Sequence, residues 1–140
     1  MRFLSTGLFG ILLATACSDP SGPPIFQQEP LPPPVLLQIG AVDTAYNEET
    51  TLQLSGSTGR LRLEGTVSLP GPNYTLDLSG TRLGFDITID LLTVEIPGST
   101  PESNLSGRSL AAEWELPEGT YRIIVQDAVK SLLEQAVVVD

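Results

Sequence analysis

Cys17 is the single cysteine of the chain, and a lone thiol serves as a nucleophile or as an attachment point. The nucleophilic use needs a base. No histidine is present, which excludes Ser-His-Asp and Cys-His catalysis and removes the commonest zinc ligand. Serine–lysine chemistry fares no better: Lys130 is the single lysine, its neighbour Ser131 points elsewhere on either a strand or a helix, and no Ser-x-x-Lys occurs. What remains is oxygen chemistry. Asp77, Asp86 and Asp90, with Glu64, fall on the polar phase of alternating stretches. Gathered on one face, they would bind calcium or work as an acid–base pair. The plainer reading is that alternation gives every exposed strand face such residues, and that acidic side chains keep sheets soluble. No Asp-x-Asp-x-Asp-Gly loop accompanies them, and no Gly-rich phosphate loop precedes a helix. No catalytic, cofactor-binding or metal-ligating set is expected, and the chain reads as non-enzymatic.

Charge narrows the partners. The chain carries a formal net charge of −10. Nucleic-acid binding needs clustered Lys and Arg to displace phosphate counterions, but Arg60, Arg62, Arg82, Arg108, Arg122 and Lys130 are scattered. No nucleic acid is expected as a partner. Anionic lipid headgroups repel an acidic body, so it should stand off a membrane rather than lie on one. Sugar-binding modules display several flat aromatics; of Phe85, Trp114, Tyr46, Tyr74 and Tyr121, alternation places most inward and leaves Tyr46, in the polar stretch 43–50, free to stack.

These residues are held by a period-two pattern that begins at Val35. Leu52/Leu54, Leu61/Leu63, Val67/Leu69, Tyr74/Leu76/Leu78, Phe85/Ile87/Ile89, Leu110/Ala112/Trp114/Leu116 and Tyr121/Ile123/Val125 alternate with polar residues, and the chain closes on Val137–Val139. Such alternation marks strands with one face in a core and one in water. Turn chemistry separates them: Ser55–Gly59, Pro70–Asn73, Ser79-Gly80 and Pro117–Gly119. The pattern predicts an all-β, two-sheet antiparallel β-sandwich of about seven or eight strands, with a small barrel as the other closure. Trp114 and Tyr121 are expected at its centre. The one helical candidate is Ala128–Gln135, a turn or two at most.

Leu116-Pro117-Glu118-Gly119-Thr120-Tyr121 resembles the tyrosine corner of immunoglobulin-like and fibronectin-like sandwiches, where a tyrosine hydroxyl bonds back to backbone near the corner. The resemblance assigns that role to Tyr121; the other reading is a plain hairpin with a half-buried tyrosine. The family's cysteine pair is missing, and Trp114 precedes the tyrosine instead of sitting on an early strand. What carries over is the immunoglobulin-like sandwich, not an antibody-type domain.

The N-terminus reads Met1-Arg2, an uncharged run from Phe3 to Ala16, then Cys17. A basic start, an apolar stretch and small residues before a cleavage point make a processing signal. The run is shorter than the roughly 20 residues that cross a bilayer as a helix. Leu13-Ala14-Thr15-Ala16-Cys17 resembles the lipobox of bacterial lipoproteins, with Ala14 where leucine is usual. The resemblance implies cleavage before Cys17, a diacylglycerol on its thiol and acylation of the new amine, as with palmitate. It covers residues 1–17 only. Ser18, rather than an aspartate, resembles a signal for onward transport to the outer membrane. The plainer reading of Cys17 is a small hydrophobe ending an ordinary secretory signal, but an unpaired exported thiol is a liability that lipidation removes.

Seven of the seventeen residues from Ser18 to Pro34 are proline, so this stretch can be neither a helix nor a central strand. It reads as a semi-rigid spacer reaching about 50 Å at about 3.1 Å per residue, or as a ligand for a proline-binding partner. The expected organisation is a signal peptide over 1–16, the lipidated Cys17 and spacer over 17–34, and a β-sandwich over 35–140. The expected role is a cell-envelope module that is held to the membrane through acyl chains on Cys17 and meets an envelope protein. The alternative is a small-ligand, carbohydrate or calcium-binding module using the acidic face.

Overall fold

Leu61, Leu63, Val67 and Leu69 turn inward from one strand and Ile87, Ile89 and Leu91 from another, and all are buried. Each set needs an apolar layer opposite, and the two supply it to each other. Residues 27–43, 49–102, 104–128 and 130–140 are described in this computed structural model, and all regular structure in them is strand. The elements are β1 (Glu29–Pro30), β2 (Val35–Asp43), β3 (Thr51–Ser57), β4 (Arg60–Leu69), β5 (Tyr74–Leu83), β6 (Asp86–Glu95), β7 (Ser106–Glu115), β8 (Gly119–Gln126) and β9 (Ser131–Val139).

They form two packed sheets, one of five strands in the order β1-β5-β6-β8-β9 and one of four in the order β2-β7-β4-β3. The all-β sandwich read from the alternation is the observed architecture. Its two sheets share one core, with Trp114 and Tyr121 its largest fully buried side chains. One pair departs from an all-antiparallel arrangement: β6 runs parallel to β8, from Asp86↔Arg122 to Asp90↔Gln126. The reason is connectivity. The chain leaves β6, crosses to β7 in the other sheet and returns as β8, so the two neighbours are not joined by a hairpin.

The helical candidate Ala128–Gln135 is overturned. Ser131–Val139 is β9, antiparallel to β8, and Asp127 and Lys130 pair across the turn between them. Asp127 Oδ1 accepts from the Lys130 amide at 2.8 Å, and the Asp127 amide donates to the Lys130 carbonyl at 3.0 Å. Eight residues cannot repay helix nucleation, whereas the exposed edge of β8 offers a full ladder.

Both sides of the sandwich are closed by edge contacts. On one side β3 abuts β9: Gln135 Nε2 donates to the Leu54 carbonyl at 3.4 Å, and the Gly59 amide donates to the Asp140 carbonyl at 2.8 Å. On the other, a single run of chain serves both sheets. β1 pairs with β5, the Leu31 amide donates to the Gly80 carbonyl at 2.8 Å, and the chain then passes Pro32–Pro34 to pair as β2 with β7. The folded body thus takes up residues ahead of Val35.

Candidate functional site

Cys17, the processing signal and the spacer as far as Phe26 lie outside the described residues, as does Tyr46. The carboxylates do lie within them, and they are spread out. Asp77, on β5, is exposed across from Leu92 on β6. Asp90 lies across from Ser79, and its Oδ1 accepts from Gln126 Nε2 at 2.8 Å. Asp86 sits at the far end of β6, four residues from Asp90 and about 13 Å away at strand spacing. There it faces Arg122 in register. Glu64 belongs to the other sheet, where it accepts from Arg62 Nε at 2.8 Å. The structure therefore does not gather Glu64 with the three aspartates. Among the described residues, no group of three or more His, Cys, Asp or Glu is placed to hold a metal ion.

Arg122 is committed elsewhere. Its Nε and Nη2 both donate to Glu134 Oε1, at 2.8 and 2.6 Å. That hydrogen bond, then the charge of Glu134, raises the guanidinium above its ordinary value, with a smaller contribution from Asp86. A raised value on a group already charged at neutral pH adds no titration in the working range.

Phe85 was expected inward from the alternation and is 61% exposed. Gly84, at φ 64°, forms the hairpin bend between β5 and β6 with Phe85, so Phe85 has no strand phase to obey. Its ring lies over Tyr121, centroids 5.6 Å apart, and Arg82 approaches the Tyr121 ring to 5.5 Å. The Tyr121 hydroxyl donates to the Pro117 carbonyl at 2.8 Å, the back-bond that its sequence setting implied.

Two features were not visible in the sequence. One is an open depression of about 390 Å³ on the outer face of the four-stranded sheet, floored by Gly65 and Ala111 and walled by Gln53, Arg62 and Glu64. The other is the far half of β6. The ladder to β8 stops at Asp90, while β6 runs on to Glu95 paired with β5 alone. Leu92 and Val94 in that half are 40% and 43% exposed. Period two marked these residues as strand, but no local signal says that a neighbouring strand will end early.

No family model, curated relative or solved structure matches the chain.

Proposed function

We propose that the protein is a lipid-anchored bacterial cell-envelope lipoprotein whose immunoglobulin-like β-sandwich is a non-catalytic interaction or structural module. The observation that carries this reading is Leu13-Ala14-Thr15-Ala16-Cys17, a lone cysteine placed after an apolar run and before a proline-rich stretch. Acyl chains on Cys17 hold the body at the membrane; each buried methylene adds about 0.8 kcal/mol, so several chains together hold firmly. The proline-rich stretch sets an acidic sandwich away from the bilayer, and the sandwich presents its sheet edges to an envelope protein. The Ser18 position favours the outer membrane.

The reading is supported by a sequence without histidine, with one cysteine and one lysine, and by carboxylates spread over two sheet faces. Metabolic labelling with an alkyne fatty acid tests the anchor: label on the wild type and none on Cys17→Ser is expected, and label persisting on Cys17→Ser overturns it. Crosslinking in the native cell tests the role. A recurrent protein partner is expected; a body that captures none and turns over a substrate overturns it.

A further inference from the structure

We propose that the uncovered half of β6, Leu91–Glu95, accepts an added strand from an extended cationic peptide segment of a partner. The proposal rests on the reading of the sandwich as an interaction module and names its edge and its ligand class.

The backbone geometry comes first. The Ile96 amide donates to the Asn73 carbonyl, which fixes the alternation along β6: Val94 and Leu92 exchange bonds with β5, and the residues between them face the other way. On that other side the Arg122 amide donates to the Phe85 carbonyl, and the parallel ladder ends at Asp90↔Gln126. The Leu91 carbonyl, both backbone groups of Thr93 and the Glu95 amide therefore face a side where, among the described residues, no strand runs. The uncovered length is about 17 Å at roughly 3.4 Å per residue. It carries no proline or bulge, two of the devices that blunt an edge, and its one charge, Glu95, lies at its outer end, whereas β2, the outer strand of the other sheet, begins after Pro32–Pro34 and is twice irregular in register.

The side chains then choose the occupant. Leu92 and Val94 form an exposed apolar strip on one face. Asp77 lies beside Leu92, Asp90 lies at the inner end and Glu95 at the outer end; the basic groups nearby are Lys130, exposed on the turn after β8, and Arg108, whose Nη1 is committed to Thr75 Oγ1 across from Val94. A second copy of this chain would set these carboxylates against their own kind, with a net charge of −10 on each partner. Because side chains alternate between the two faces, an extended segment alternating apolar and basic residues sets its apolar residues beside the Leu92–Val94 strip, turns its basic residues to the face that carries Glu95, and meets the open amides with its backbone.

The test uses the whole chain in nonionic detergent and fluorescein-labelled capped peptides, Val-Lys-Val-Lys-Val-Lys and its glutamate counterpart. The lysine peptide is expected to bind, more weakly as salt rises, and the glutamate peptide not to bind. Thr93→Pro removes an outward amide without touching the ladder to β5 and is expected to weaken binding at least tenfold; Glu95→Gln weakens it less and flattens the salt dependence. Hydrogen exchange at the Thr93 and Glu95 amides, expected to slow when peptide is added, reads the same contact without a variant. No binding, equal binding of both peptides, equal affinity in Thr93→Pro with unslowed amides, or self-association of the free chain would overturn the proposal. Each of these leaves fatty-acid labelling and cellular crosslinking intact, so failure here is separable from failure of the anchored-module reading.

Discussion

The Tyr121 hydroxyl and the Pro117 carbonyl, four residues apart, meet at 2.8 Å and tie the entry of β8 to its own strand. Tyr121 is fully buried, so its ring fills the core while its oxygen holds the bend. The two jobs separate in Tyr121→Phe, which keeps the ring. The expected loss is about 1 kcal/mol, the net worth of one hydrogen bond, read as a lower denaturation midpoint at unchanged slope. An unchanged midpoint would mean the bend holds itself.

Gly56 on β3 lies where the edges of β3 and β9 abut. A Cβ built there would sit 1.8 Å from the Val138 carbonyl oxygen, and that oxygen belongs to backbone that cannot swing aside. Gly56→Ala should therefore push the two edges apart and cost about 3 kcal/mol, the upper range for overpacking. Faster hydrogen exchange along β9 than along β4 would locate the damage; uniform protection in a fully stable variant would contradict it.

Ser106 is completely buried, and its hydroxyl has no hydrogen-bond partner among the described residues. Ser106→Ala deletes an unpaired polar group of similar volume. Its expected effect is neutral to stabilising, by up to about 1 kcal/mol. A clear drop in thermal midpoint would show that the hydroxyl has a partner.

The aspartates of the five-stranded sheet are separated along and across strands, with Asp90 held by Gln126. Thermal melts in calcium and in EDTA should superimpose, since a ligand stabilises only where it binds the folded state more tightly. A calcium-dependent rise lost in Asp90→Asn would show a cation on this face.

The strands were legible because each carries its own record of inside and outside. Leu61, Leu63, Ile87, Ile89, Ile123 and Val125 could be assigned to a core without knowing their neighbours, and all six are buried. What could not be read depends on partners distant in sequence. Ala128–Gln135 has no strong local preference, and the waiting edge of β8 decided it. Phe85 matched the alternation and escaped it because Gly84 ends the strand phase one residue earlier. The early end of β8 beside β6 leaves no mark in either strand.

The short pairing of β1 with β5, Glu29↔Arg82 and Pro30↔Thr81, joined by the Gln28–Thr81 side-chain bond, the Leu31 amide and the packing of Leu31 against the core, has a mechanical meaning. A load applied at the N-terminal end of the described chain reaches these few bonds before it reaches β2. They give way first, paying out about 10 Å of slack at roughly 3.4 Å per residue while the sandwich behind them stays shut. The fold thus carries a weak link in series with its body, which spares the core when the chain is tugged.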